Sequence, residues 1–102
     1  MSLHRYATMK DPNHATIVAA FRALGCSVQS LSAPGLPDLL VGIRGVNLLV
    51  EVKDGTAVPS RQKLTDVQLR WHLGWLGQVA IVRTVEQAQQ LVRKARERVA
   101  TP

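Results

Sequence analysis

The stretch GLPDLLVGIRGVNLLVEVK, residues 35–53, predicts a β-hairpin that carries charged side chains in an apolar setting. Two apolar runs flank the dipeptide Arg44-Gly45, and glycine at the second position of a two-residue turn is typical of a hairpin. Pairing of Ile43 with Val46 then sets the register of the two strands.

This register brings two acidic side chains together. Asp38 falls opposite Glu51, and Lys53 points to the same face because side chains alternate along a strand. Opposed carboxylates repel each other, and burial strengthens the repulsion unless a cation lies between them. The hairpin therefore predicts a Mg²⁺ site, since one or two carboxylates completed by water and phosphate are typical of that ion. The alternative is a surface hairpin in which Asp38 caps a turn and Glu51 pairs with Lys53.

The composition favours a nucleic acid as the partner. The chain holds 13 Lys and Arg against 7 Asp and Glu. No segment combines a long basic amphipathic face with bulky aromatic residues, so we expect no membrane partner. A ribosomal or chromatin protein would carry a similar charge, and charge alone does not indicate catalysis.

The length of 102 residues is enough for one domain with a hydrophobic core. We expect a flexible basic arm at residues 1–10, followed by a single domain at 11–102. Cys26 is the only cysteine, which excludes a disulfide framework and favours a cytoplasmic location. Neither a signal-peptide pattern nor an apolar run of about 18 residues is found.

The elements before the hairpin are a helix and a strand. Asp11 as N-cap and Pro12 as the first helical residue predict the start of the helix, and Gly25 predicts its end. Residues 26–31 predict a strand. After the hairpin, residues 54–63 are too rich in turn residues for regular structure, and we expect a mobile loop that contacts DNA.

Two further helices flank a last strand. Thr65 and Gln68 form a predicted capping box, so the second helix starts there and runs to Gly77. Residues 79–82 predict a short buried strand. A second capping box then opens the last helix, which has an apolar inner face and a basic outer face. The second box consists of Thr84 and Gln87. The inner face consists of Val85, Ala88, Leu91, Val92, Ala95 and Val99, and the outer face carries Arg93, Lys94, Arg96 and Arg98.

The order of elements predicts an α/β fold with a central mixed sheet flanked by helices. At the hairpin the sequence also resembles the PD-(D/E)XK nucleases, whose signature stands here as Pro37-Asp38, twelve further residues, and Glu51-Val52-Lys53. Gly35 before the signature and LTDVQ after it resemble the small standalone VRR-NUC and Holliday-junction-resolvase-like branch. The resemblance covers roughly residues 11–92 and implies a restriction-endonuclease-like αβββαβ(α) core.

The resemblance also implies a function and roles for individual residues. The protein would be a Mg²⁺-dependent nuclease, with Mn²⁺ as a substitute, that hydrolyses phosphodiester bonds in DNA, including branched or junction DNA. Asp38, Glu51 and the backbone carbonyl of Val52 would hold the metal ion, and Lys53 would contact the attacking water. Gln68 would lie in the active site, although the capping box explains it equally well and we expect one Gln to serve only one role.

The first helix departs from the family pattern. Related nucleases carry a Glu there that completes the metal site, and His14 stands at the corresponding position. We expect His14 to lie near the metal without binding it directly. A half-buried His bonded to a carbonyl is the alternative, and Asp11 or Asn13 could also serve.

The remaining predictions concern partners. Arg61, Lys63 and Arg70 are expected to contact phosphates, and Ser32 the substrate. Trp71 and Trp75 either stack on splayed bases or pack in the core or a dimer interface. The C-terminal basic run is expected to be a solvated helix face, with nonspecific DNA binding as the alternative.

A homodimer would present two sites to two DNA strands, as a symmetric junction requires. The competing interpretation is a catalytically inactive nucleic-acid-binding module with the same fold. A small-molecule enzyme ranks last, because the sequence has neither a Gly-rich phosphate loop nor a nucleophile motif.

Overall fold

A four-stranded mixed sheet organises the chain, and the computed structural model describes residues 11–100, with side chains to residue 98. The strand order is β1-β2-β3-β4; β1, β2 and β3 are antiparallel neighbours, and β4 runs parallel to β3. The strands are β1 (Ser27–Ser30), β2 (Leu39–Ile43), β3 (Val46–Val52) and β4 (Val79–Val82). The helices are α1 (His14–Ala23), α2 (Pro59–Gln62), α3 (Asp66–Gly74) and α4 (Val85–Ala100). The predicted α/β fold with a mixed sheet flanked by helices is confirmed.

The hairpin has the predicted register. Ile43 pairs with Val46, and the pairing continues along both strands. Arg44 has φ of 47° and Gly45 has φ of 84°, so both turn residues are left-handed, as a turn matching the twist of the strands requires. One step beyond the last pair of β2 and β3, the register brings Asp38 beside Glu51.

The two faces of the sheet differ in what covers them. One face is apolar and packs under α1 and α4, and its core includes Ile17, Phe21, Leu39, Val41, Ile43, Leu48, Val50, Val52, Val82, Ala88, Val92 and Ala95. Because side chains alternate, Glu51 and Lys53 lie on the opposite face together with Leu40 and Leu49. The helix α3 lies at the end of this second face where the charged residues are.

The helix α1 begins later than Asp11 and Pro12 predict. The backbone N–H of His14 donates to the carbonyl of Asp11 at 3.0 Å, which closes a turn before the helix, and Asn13 is the N-cap. Gly25, with φ of 88°, follows the end of the helix as predicted. The carboxyl of Asp11 is therefore not the N-cap.

The connection at residues 54–63 contains a short helix, where we expected no regular structure. Pro59 is the first residue of α2, a position where its fixed φ suits a helix. Gln62 closes the segment, because its Nε2 donates to the carbonyls of Gly55 at 3.2 Å and Ala57 at 2.6 Å.

The helix α3 ends at Gly74 instead of Gly77, and no residue within it is buried. Leu73 is 76% exposed and Leu76 is fully exposed. Leu69, Leu73 and Leu76 have helical spacing in the sequence, which predicts an apolar row on this helix, but in the structure this row does not reach the core. Beyond the helix, Gly77 lies against the Trp75 indole, since a Cβ there would meet Nε1 at 2.8 Å.

The helix α4 presents the predicted apolar face, but one of its basic residues is not solvated. Arg96 is half-buried and donates from Nη2 to the carbonyl of Leu24. At the other end, Gln87 accepts from the N–H of Arg83 at 2.7 Å, while its own N–H donates to Thr84 Oγ1 at 3.1 Å. The Thr84 half of the second capping box is therefore present as predicted, whereas the N–H bonded to the Gln87 side chain is that of Arg83, one residue before Thr84. Among the described residues, no helix is both long enough and apolar enough to cross a membrane.

Candidate active site

The acidic pair lies where β2 begins and β3 ends. Asp38 is fixed by its backbone, whose carbonyl accepts from Leu31 N at 2.7 Å, and its Oδ2 accepts from Val52 N at 2.8 Å. Glu51 is only 2% exposed. Its Oε1 is buried and receives no hydrogen bond from the residues that the structure describes. The register thus delivers two carboxyl groups to one place, as predicted.

Protonation of Glu51 reduces the repulsion within this pair. Burial, a hydrogen bond to Asp38 and the Asp38 charge together raise the pKa of Glu51 from 4.5 to about 9, against the opposing effect of Lys53. Glu51 therefore holds a proton at neutral pH when no cation is bound. A buried carboxyl group with an oxygen that has no N–H or hydroxyl donor among the described residues fits a divalent cation, which would displace the proton.

Gln68 connects Glu51 to Lys53. Its Oε1 accepts from Lys53 Nζ at 2.9 Å, and its Nε2 donates to Glu51 Oε2 at 3.2 Å. The amide therefore lies between the carboxyl and the ammonium group, and it holds both on the same face of the sheet.

The same Gln68 also closes the capping box of α3. Its Oε1 accepts from Thr65 N at 2.9 Å, and its own N–H donates to Thr65 Oγ1 at 3.2 Å. The expectation that one Gln serves a single role is wrong, because a carbonyl oxygen has two lone pairs and the NH₂ group is free to donate elsewhere. Helix start and candidate site share one side chain.

The segment before α1 also reaches the site. Burial raises the pKa of Asp11, which the Lys53 ammonium opposes and the Asp38 charge reinforces. Asn13 donates from Nδ2 to the carbonyls of Lys53 at 3.0 Å and Arg83 at 3.1 Å. Both residues were alternatives to His14, and both have contacts or charge interactions with Lys53.

The position of His14 near a metal ion and the binding of that ion by the Val52 carbonyl remain predictions. His14 is half-buried in the first turn of α1. Val52 meets Asp38 through its N–H. Within the described part of the chain, no group of three or more His, Cys, Asp and Glu side chains is placed to hold an ion, so the protein would supply two carboxyl groups.

The predicted DNA contacts are all exposed. Ser32 lies in the loop before β2, Arg61 in α2, Lys63 directly after α2, and Arg70 in α3. Arg70 is two residues from Gln68, about 200° around the helix, and so lies on the side of α3 away from the acidic pair. Their contact with DNA remains a prediction.

Sequence reasoning missed His72, although its spacing gave a signal. It follows Gln68 by four residues and therefore lies on the same face of α3. Burial and then the nearby Lys53 ammonium lower the pKa of His72, and its Nε2 is buried without a hydrogen-bond partner among the described residues. Trp71 stacks on Trp75 with ring centroids 4.8 Å apart and meets His72 edge-on.

A mixed four-stranded sheet with two acidic groups, a Lys and a Gln at one end fits a nuclease-type domain. Comparison with known proteins agrees with this class. No family model and no curated protein matches the chain. A solved structure described as "VRR_NUC domain" is similar, with 32% sequence identity and a TM-score of 0.62, over 79% of this chain and 95% of that one. The chain belongs to the VRR-NUC family.

Proposed function

We propose that the protein is a Mg²⁺-dependent nuclease that hydrolyses phosphodiester bonds in DNA, including branched DNA. The observation that carries the proposal is the meeting of Asp38 and Glu51 across the hairpin, with Glu51 Oε1 buried and without a donor among the described residues. Membership of the VRR-NUC family supports the same activity.

Asp38, Glu51 and the backbone carbonyl of Val52 would hold the ion. When bound, the ion would polarise the phosphate and lower the pKa of a bound water molecule. The side chains of the protein would orient the ligands of the ion and control their protonation. Asp38 is oriented by the Val52 N–H, which leaves its other oxygen for the ion, and Glu51 would give up its proton when the ion binds.

Lys53 would contact the attacking water and the negative charge that develops on the phosphate. The Lys53 residue is only 7% exposed, and Gln68 Oε1 accepts a hydrogen bond from its ammonium group. A preorganised charge in such a site costs no reorganisation during the reaction. Gln68 keeps Lys53 near the carboxyl groups without direct pairing to Glu51.

DNA would lie across the exposed basic side chains near this end of the sheet. The chain has a formal net charge of +6, which favours a polyanion. Arg61, Lys63 and Ser32 are the proposed contacts near the acidic pair, and Arg70 would contact DNA that passes the outer side of α3. Charge contacts of this kind predict affinity that falls steeply with salt concentration.

We also propose that the protein acts as a homodimer. The apolar row Leu69, Leu73 and Leu76 is exposed along and beyond α3, and a contiguous exposed apolar patch is typical of an interface. Sedimentation equilibrium should give twice the chain mass of 11.2 kDa, and Leu73→Gln should give the single mass. A monomeric wild type would refute this part of the proposal.

The nuclease is tested with linear, flapped and four-way DNA substrates in Mg²⁺, Mn²⁺ or EDTA. We expect cleavage with either metal, and no cleavage by Asp38→Ala, Glu51→Ala or Lys53→Ala. Glu86→Gln is the matched control, because it removes an exposed carboxyl in the first turn of α4, on the other side of the sheet.

The same set of DNA substrates and metal conditions distinguishes an inactive binding module from an enzyme. The observation that favours the module is that, among the described residues, no third His, Cys, Asp or Glu is placed to share an ion with the two carboxyl groups. DNA binding by the wild type in the absence of cleavage, across both metals and all substrates, would establish the module and refute the nuclease. Lys53→Ala should retain binding in EDTA.

A further inference from the structure

Asn13 occupies the N-cap position of α1 but does not cap the helix. An Asn at this position ordinarily accepts a hydrogen bond from the second or third N–H of the helix. In the described chain its side chain makes no such bond. The amide is instead directed to residues 40 and 70 positions away in sequence, so local helix capping does not explain it.

The two carbonyls that Asn13 bridges are at the ends of neighbouring parallel strands. Lys53 directly follows β3, and Arg83 directly follows β4. The Arg83 carbonyl also accepts from Gly55 N at 3.2 Å. A Cβ on Gly55 would meet that carbonyl at 3.0 Å, so the backbones approach closely here. Asn13 therefore joins three segments where the chain leaves the sheet.

Asp11 lies on the other side of the same peptide group. The backbone N–H of Asp54 is close enough to the Asp11 carboxyl to lower its pKa, against the larger effect of burial. The carbonyl of Lys53 and the N–H of Asp54 belong to one planar peptide unit. That unit is therefore bonded at its oxygen by Asn13, and its hydrogen faces the negative charge of Asp11, so the backbone of Lys53 is held on its C-terminal side.

We propose that Asn13, together with Asp11, is a positioning residue for Lys53. This inference rests on the proposed function, because it concerns the geometry of the proposed catalytic ammonium group. Rotation of the peptide unit between Lys53 and Asp54 would redirect the Lys53 side chain and lengthen its 2.9 Å bond to Gln68 Oε1. The Oδ1 of Asn13 is buried and has no partner among the described residues, so the two donated bonds are the contribution of this side chain.

Gln62 provides a matched control. Its amide also bridges two backbone carbonyls, those of Gly55 and Ala57, but it does not touch the peptide after Lys53. Gln62→Ala and Asn13→Ala therefore remove the same chemistry from neighbouring places. If Asn13 acts only by stabilising the fold, both variants should behave alike.

The test compares steady-state cleavage by the wild type, Asn13→Ala, Asn13→Asp and Gln62→Ala. Misplacement of a catalytic group by about 1 Å costs about 10²-fold in rate. We expect kcat to fall about 10–100-fold in both Asn13 variants, with KM for DNA within about twofold of the wild type. Gln62→Ala should keep the wild-type kcat. Unchanged kcat in Asn13→Ala, or an equal fall in Gln62→Ala, would overturn the inference.

A second measurement does not depend on cleavage. Hydrogen exchange of the Asp54 N–H should be faster in Asp11→Ala and Asn13→Ala than in the wild type or Gln62→Ala. If the wild type does not cleave DNA, the nuclease proposal fails, and the hydrogen-exchange measurement alone then tests whether Asn13 positions Lys53. Unchanged exchange at Asp54 in both variants would overturn it.

Discussion

The two faces of the sheet in this protein are maintained by different forces. The face under α1 and α4 is closed by apolar side chains, and Phe21 and Leu39 are fully buried there. The other face is held by polar contacts, with Gln68 as the link between Glu51 and Lys53. The helix α3, which supplies Gln68, buries none of its own residues.

This difference separates stability from proposed chemistry. Burial of apolar surface stabilises the first face by about 25 cal/mol per Å². The second face buries a carboxyl group that is hard to ionise, which costs stability as long as no cation is bound. Substitutions on the apolar face should therefore chiefly lower the free energy of unfolding, whereas substitutions of the polar side chains on the other face should chiefly lower the rate of cleavage. Four predictions test this difference.

The largest expected effect is at Glu51. Glu51→Gln keeps the shape of the side chain and removes the charge that the ion needs. Cleavage should fall by about 10³-fold or more, because a metal ion supplies several kcal/mol in such reactions. In EDTA at pH 8 the same variant should be more stable than the wild type in urea unfolding. A variant that cleaves normally or is less stable would break the comparison of the two faces.

Two adjacent leucines on β2 provide the next test. Leu39 is fully buried in the core, whereas Leu40 on the opposite face is 38% exposed. Leu39→Ala should lower the free energy of unfolding by about 2–5 kcal/mol, and Leu40→Ala by less than about 1 kcal/mol. Chemical denaturation of both variants measures the difference. Equal losses would show that the second face is also stabilised by apolar packing.

Variants of Gln68 and Thr65 distinguish the helix-capping role of Gln68 from its contacts with Glu51 and Lys53. Gln68→Ala removes the helix contacts and the contacts to Glu51 and Lys53, and cleavage should fall about 10²-fold. Thr65→Ala removes only the cap hydroxyl, and should cost about 1 kcal/mol of stability with little change in kcat. If Thr65→Ala reduces kcat as much as Gln68→Ala, the intact helix start and not the Gln68 amide is what the site requires.

The fourth test is the pH dependence of stability. The pKa of Glu51 is raised in the folded protein from 4.5 to about 9, chiefly by burial. Its stabilising proton is therefore fully present below pH 4.5, and that stability is lost as the pH rises towards 9. The slope would be at most about 1.4 kcal/mol per pH unit in EDTA. Saturating Mg²⁺ or Glu51→Gln should flatten the slope, and an equally steep slope in Glu51→Gln would assign it to another group.

The sequence was sufficient for features that depend on local rules. Arg44-Gly45 specifies a tight turn, and the alternation of apolar residues then sets the register that brings Asp38 beside Glu51. Thr65 likewise specifies the start of α3. Each of these follows from neighbours within a few residues, where turn and capping preferences are strong.

Features that depend on distant contacts could not be derived in this way. Asn13 looks like part of a helix start, yet its amide is used by carbonyls that lie 40 and 70 residues away. The leucines of α3 have helical spacing, but spacing does not reveal whether a core lies beneath them. The two roles of Gln68 require knowledge of which atoms the fold brings within hydrogen-bond distance.

The central claim is that Asp38 and Glu51 together bind a divalent cation, which takes the place of the proton on Glu51. Calorimetric titration of the metal-free protein with Mn²⁺ at pH 7.5, in two buffers of different ionisation enthalpy, measures ion binding and proton release together. We predict saturable binding with release of a proton in the wild type, and loss of both in Glu51→Gln. Absence of binding by the wild type, or unchanged binding by Glu51→Gln, would contradict the claim.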